Sequence, residues 1–191
     1  MPDKNSLIEQ LNNINEKISK IYKENYPFDA ATKLEIDRLY LEYCKIENYL
    51  QMMDYNFVIG NDIVDLYKKD TDYFEGDYII CLHNTLTKIG EIDYRPGEWY
   101  MGNIGYKIYE KYRGNNYAYY ATYLLLNILA LNGINEATIA VKMENIASTK
   151  IMDKLKELGL ECVVEEDKED NNVLRYHYKF NKEMFYNNRQ K

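Results

Sequence analysis

The stretch EKYRGNNYAYYATYLLL, residues 110–126, decides how this chain is read. A polar, turn-prone hexad, Arg113-Gly114-Asn115-Asn116-Tyr117-Ala118, stands directly before an apolar run that reads as a buried helix. An ordinary helix start needs little more than one capping side chain. A loop of small and amide residues between a strand and a helix suits something that must come close to the backbone. Successive N–H groups, with the positive end of a helix behind them, can clasp a diphosphate. Arg113 adds a charged clamp to such a loop. Taken alone, the hexad reads first as an ordinary strand-to-helix turn. It is neither a Walker loop, which needs Gly-Lys-Ser or Gly-Lys-Thr, nor a dinucleotide fingerprint, which needs three spaced glycines.

The flanks place the hexad in an α/β pattern. Before it, Tyr78-Ile79-Ile80-Cys81-Leu82 reads as a buried strand, NTLT as a turn and KIGEIDY as an antiparallel return. Pro96-Gly97 is a second turn, and EWYMGNIGYKIYEKY reads as one long strand, so the segment predicts a three-strand meander. After the hexad, YAYYATYLLLNILALNG is apolar nearly all round and stops at Asn132-Gly133. ATIAV follows as a short buried strand. NIASTKIMDKLKELG is an amphipathic helix with Ile151, Leu155 and Leu158 on one face. LECVVEE and VLRYHYKF close the pattern as a hairpin around the acidic DKEDNN, which reads as a solvated turn. Upstream, NFVIG reads as a strand and DIVDLYKK as a helical turn or two.

Residues 1–53 have a different texture. Leu7, Leu11, Ile14, Ile18 and Ile21 form a narrow apolar seam, Pro27 breaks it, and Asp29 is placed to cap a second helix carrying Leu39, Tyr43, Ile46 and Leu50. The expected domain division is therefore an N-terminal helical hairpin over 1–53 and an α/β domain over 54–191. The hairpin serves either as an arm for a partner or a homodimer, or as a packing elaboration; seam spacing does not choose between them.

The chain has 191 residues, 46% of them hydrophobic and 29% charged, with a net charge of −7. That balance argues against nucleic-acid or anionic-membrane binding and favours cationic or amine partners. Cys44, Cys81 and Cys162 are isolated, and His83 and His177 lack ligand-spaced neighbours, so neither a disulfide framework nor a metal site is expected. No apolar window reaches the ~20 residues of a membrane span, and the start PDKNSLIEQ does not read as a leader. The expectation is a cytoplasmic protein.

Taken together and in order, these pieces resemble the GNAT superfamily of acyl-CoA-dependent N-acetyltransferases. The family's diphosphate loop follows Q/R-x-x-G-x-G/A, and Arg113 and Ala118 fill its ends. GNIGYKIYEKY is similar to the family's splayed fourth strand. ENIASTKIMDKLKELGL resembles its second coenzyme motif, N-x-x-S leading into a helix. The resemblance covers roughly residues 77–180. It departs at the motif's central Gly, which is Asn116 here; Asn is the non-glycine residue best suited to a left-handed backbone.

The resemblance implies a GNAT-like, mostly antiparallel mixed sheet flanked by helices. It implies acetyl-CoA as co-substrate with no metal, and direct attack of a primary amine on the thioester in a ternary complex. An amine of pKa near ~10.4 must lose a proton, which calls for a carboxylate base acting through water. Glu91, Asp93 and Glu98 are the candidates, with Glu98 and Glu91 preferred. Oxyanion donors are implied near Ile108, Tyr109 and Glu110. The coenzyme loop is Arg113, Gly114, Asn115, Asn116, Tyr117 and Ala118, with Asn145 and Ser148 as further contacts. Relatives often protonate the leaving thiolate with a Tyr seven residues after the motif Asn; that position is Met152 here, so Ser148 becomes the candidate acid. The acceptor stays open between a protein N-terminus, a small amine and a polyamine. The competing reading is an acetyl-CoA-binding regulatory or partner-binding module with weak catalysis.

Overall fold

The computed structural model describes residues 3–97 and 102–187. The chain divides into two compact units, Met1–Asp54 and Tyr55–Lys191. In the first, α1 (Lys4–Glu24) and α2 (Ala30–Met52) pair along the expected seams. Ile14, Ile18 and Leu39 are its buried centre, and Ile21, Tyr43 and Ile46 pack around them. Asp29 caps α2 by accepting the Thr32 amide at 2.7 Å.

The second unit opens with five strands, β1 (Asn56–Gly60), β2 (Val64–Lys68), β3 (Gly76–Leu82), β4 (Lys88–Tyr94) and β5 (Ile104–Ile108). They lie side by side in sequence order, each antiparallel to the next. The expected three-strand meander is thus the far part of a longer sheet. DIVDLYKK, expected as helical, supplies β2. Val64 and Leu66 are fully buried there, and a strand covered on both faces loses the alternation that would mark it.

The strand expected over 98–112 is also shorter. Residues 98–101 lie outside the described residues, β5 ends at Ile108, and Glu110–Tyr112 coil into one 3₁₀ turn. Helix α3 (Tyr117–Leu131) follows and lies against β1, β2, β4 and β5. Ala121, Leu125, Leu126 and Leu129 are wholly buried in it. At about 1.5–3 kcal/mol for each large apolar side chain removed from water, this helix anchors the unit.

A second sheet contains β6 (Glu136–Lys142), β7 (Glu161–Glu166) and β8 (Val173–Lys179) in the order β6-β8-β7, with α4 (Ile146–Glu157) between β6 and β7 and α5 (Lys182–Asn187) last. Met152 and Leu155 are the fully buried residues of α4, while Ile151 and Leu158 pack at its margin. The acidic turn after β7 is more than a solvated loop. Asp167 is buried, accepts the Glu169 amide at 2.8 Å and the Asp170 amide at 3.0 Å, and pairs with Arg175.

Among the described residues, hydrogen bonds join the two sheets around Gly102 and Asn103. Gly102 bridges to Ile139, the Asn103 amide donates to the Thr138 carbonyl at 2.7 Å, and the Asn103 side chain accepts the Thr138 amide at 2.9 Å. A Cβ on Gly102 would stand 2.6 Å from the Thr138 carbonyl oxygen, so this approach requires glycine. Beyond the bridge β5 and β6 share no ladder among the described residues. They are joined at the start of β5 and apart toward its end.

Candidate active site

The hexad occupies the end of β5 at the edge of that gap. Gly114 has φ +84° and Asn116 has φ +59°, so both sit in the left-handed region. Gly114 takes that conformation at no steric cost, and Asn is the side chain that tolerates it best. Asn116 occupies the capping position of α3 without capping it. Among the described residues the amides of Gly114, Asn115, Asn116, Tyr117, Ala118 and Tyr119 donate to no acceptor. The result is a row of unpaired N–H groups backed by the positive end of a long buried helix, an anion-binding arrangement.

Side chains brace this row. The Asn115 side-chain Nδ2 donates to the Tyr112 and Arg113 carbonyls, both at 3.2 Å. Arg113 turns its Nε back to the Ile108 carbonyl at 3.1 Å, tying the loop to the last residue of β5. Lys154 of α4, which the sequence reading did not single out, donates from Nζ to Asn116 Oδ1 at 2.7 Å and lies 5.8 Å from the centre of the Tyr119 ring. In sequence it is one of three lysines on α4; its placement follows from α4 packing on α3.

Strand β5 presents donors to the gap. The Tyr109 amide donates to the Ile89 carbonyl at 2.9 Å, and the Arg95 amide to the Asn103 carbonyl at 2.8 Å, so alternate residues from Asn103 to Tyr109 bond to β4. The amides of Tyr106 and Ile108 therefore point the other way, toward β6. Of the expected oxyanion donors, Ile108 faces the gap, the Tyr109 amide is engaged within the sheet, and Glu110 opens the exposed 3₁₀ turn.

Across the gap, Asn145 caps α4 by accepting the Ser148 amide at 3.1 Å, which leaves its Nδ2 as a donor. Ser148 is half-buried in the first turn. Met152, on the same face one turn further, is fully buried, and its carbonyl accepts the Tyr178 hydroxyl at 2.9 Å. The Tyr106 hydroxyl of β5 is buried without a hydrogen-bond partner among the described residues. Burial pushes its pKa up, while the Ser148 hydroxyl lies near enough to favour the ionised form but outside hydrogen-bond geometry.

The carboxylates separate by environment. Glu91 is exposed; it accepts Lys88 Nζ at 2.7 Å and the Tyr109 hydroxyl at 3.2 Å, and the hydrogen bond from Lys88 holds its pKa below the ordinary value. Asp93 is two residues along β4, over Gly105 of β5, where a Cβ would come within 2.8 Å of its carboxylate. Burial raises its pKa despite Arg95 Nε at 3.4 Å. Both carboxylates have a cationic neighbour, but Lys88 holds Glu91 closely and lowers its pKa, whereas burial outweighs the longer contact from Arg95 at Asp93, so Asp93 suits a base better than Glu91. Glu98 lies outside the described residues.

Where the sheets join there is a cavity of about 1090 Å³, bordered by Asn103, Thr138, Glu165, Arg175 and His177 among others. His177 is held between Thr138 Oγ1 at 3.0 Å and Glu165 Oε1 at 3.1 Å. Among the described residues no cluster of His, Cys, Asp and Glu could hold a metal ion, and no helix is long and apolar enough to cross a membrane.

A family model described as "Acetyltransferase (GNAT) domain" matches residues 31–156. The chain belongs to the GNAT acetyltransferase family. The match begins inside α2 and ends inside α4, so it covers one helix of the N-terminal pair and stops before β7. No curated protein matches the sequence. Similar solved structures include an acetyltransferase from Agrobacterium tumefaciens str. C58, with 17% identity and a TM-score of 0.46 over 80% of this chain and 73% of that one. RimL, a ribosomal L7/L12 alpha-N-protein acetyltransferase in complex with coenzyme A, has 12% identity and a TM-score of 0.44 over 95% and 92% of the two chains. The microcin C7 self-immunity acetyltransferase MccE, in complex with acetyl-CoA and AMP, has 15% identity and a TM-score of 0.39 over 93% and 87%.

Proposed function

We propose that this GNAT protein moves an acetyl group from acetyl-CoA to a primary amine by direct attack in a ternary complex. The observation that carries the reading is the row of unpaired amides from Gly114 to Tyr119 beside the opening between β5 and β6. In this reading the loop and Lys154 hold the coenzyme diphosphate, and Arg113 fixes the loop to β5 rather than clamping phosphate itself. The Asn145 Nδ2 holds an amide of the pantetheine arm. The Tyr106 and Ile108 amides donate to the thioester carbonyl as negative charge develops on its oxygen. They do so from the backbone of a strand already fixed in a sheet, so little reorganisation accompanies the reaction.

Asp93 takes the amine proton, directly or through water. The acceptor, a cationic amine, reaches the thioester from the cavity at the sheet junction, where Glu136, Glu165 and Glu169 stand among Lys168, Arg175 and Lys179. A protein N-terminus, a small amine and a polyamine all meet that description.

Binding and turnover test the reading separately. Calorimetry should detect acetyl-CoA binding, and thiol release against an amine panel should exceed hydrolysis for at least one acceptor. Binding without transfer to any amine would favour the second reading, a regulatory module, which the burial of Met152 at the family's tyrosine position supports. No binding would remove both.

A further inference from the structure

We propose that Tyr106 is the group that meets the departing sulfur, donating a hydrogen bond from β5 in place of a tyrosine on α4. The assignment rests on the acetyl-CoA reading above. Buried tyrosine hydroxyls usually find partners, because covering the O–H without one forfeits its hydrogen bonds to water. Tyr106 has none among the described residues. Two neighbouring tyrosines are already engaged: Tyr178 donates to the Met152 carbonyl and Tyr109 to Glu91. The strand that bears Tyr106 also lines the gap with its amide, and the hydroxyl lies near Ser148 in the first turn of α4. A hydroxyl sealed from water, beside the coenzyme-motif serine and without an acceptor, is matched to an acceptor that arrives with the ligand.

The chemistry balances without a further reactant. The amine nitrogen forms a bond to the thioester carbonyl carbon, the carbon–sulfur bond breaks, and its electron pair stays on sulfur. Asp93 passes the amine proton to water, and the sulfur takes one proton from water, so amine and thioester become amide and thiol. Tyr106 lowers the charge on sulfur during cleavage by hydrogen bonding and remains protonated. Burial favours that state, holding the hydroxyl above the ordinary tyrosine range and so keeping it a donor at neutral pH. Met152 cannot act here; it has no proton to give and is sealed in the core.

The test uses Tyr106→Phe, with coenzyme A and its desulfo analogue as probes. Calorimetry reads both affinities, and ultraviolet thiolate absorption reads the pKa of the bound thiol. In the native protein the bound thiol should titrate about one to two units lower than in the variant, as expected for a hydrogen bond to a charged group. Desulfo-coenzyme A should bind both proteins alike, which also shows that the variant is folded. Equal thiol pKa values in the two proteins, with both binding the desulfo analogue, would overturn the assignment of Tyr106 while leaving the coenzyme reading intact. Failure of the native protein to bind either probe would overturn both. If Tyr106→Phe does not fold, a fluorotyrosine incorporated at position 106 should lower the bound-thiol pKa further through its more acidic hydroxyl; no shift there would reject the proposal.

Discussion

Lys154 reaches from α4 to the side chain of Asn116 and donates a hydrogen bond of 2.7 Å to it. The contact joins the two segments proposed to hold the coenzyme, which are far apart in sequence. It also explains how a non-glycine residue is kept at the start of α3 with φ +59°. The Asn side chain is held away from the amides of Tyr117, Ala118 and Tyr119, which stay available to an anion.

Asn116→Val should weaken acetyl-CoA binding, because a β-branched residue resists the left-handed backbone at about 1–2 kcal/mol or more. Asn116→Gly should retain binding, since glycine adopts that backbone freely. Calorimetry on the two variants checks the pair; equal affinities for Val and Gly would show that the loop conformation is not used.

Lys154→Ala should reduce coenzyme affinity by about 3- to 10-fold at low ionic strength, and by less in added salt, because the side chain is exposed and its charge is screened. A loss of the same size at both ionic strengths would assign Lys154 a packing role instead.

Asp93→Asn should slow transfer by about 100-fold or more while leaving coenzyme affinity unchanged. Glu91→Gln should keep most of the rate, since Glu91 is already neutralised by Lys88. Burial raises the folded pKa of Asp93, so the stability linked to its protonation is present at low pH and is lost as pH rises through that pKa. Asp93→Asn should therefore melt slightly higher than the native protein at pH 7 while working far more slowly. A variant that kept its rate would remove Asp93 as the base.

Asp167 carries the opposite sign. Hydrogen bonds from the Glu169 amide, and then from Arg175, hold its pKa below the ordinary value. Its contribution is present above the unfolded pKa and is lost as pH falls through the folded one. Asp167→Asn should lower the melting temperature at pH 7 and flatten the decline toward acid, as read by calorimetric scans from neutral to acid pH.

The parts legible in sequence were those where local chemistry and final environment agree. The long apolar run from Tyr117 to Leu131 reads as a buried helix, and the amide- and glycine-rich hexad marks a special backbone. Strand β2 was not legible, because it carries Lys68 into the interior, where Nζ donates to the carbonyls of Asp70 (2.7 Å) and Tyr73 (2.5 Å). A charged residue at a buried strand position looks like a solvated helix face until its partners are seen. The site residues divide in the same way. Asn116 follows from backbone preference. Lys154, Asp93 and Tyr106 depend on which elements end up adjacent, and no local pattern states that the residue opposite Asp93 is Gly105 or that Tyr106 turns toward α4.

The account rests on the coenzyme diphosphate lying against the amides of Gly114 to Tyr119, and a crystal structure of the acetyl-CoA complex tests this most directly. The predicted result is phosphate oxygens within hydrogen-bond distance of several of those amides, with the pantetheine arm running between β5 and β6. A diphosphate bound anywhere else on the chain would contradict it.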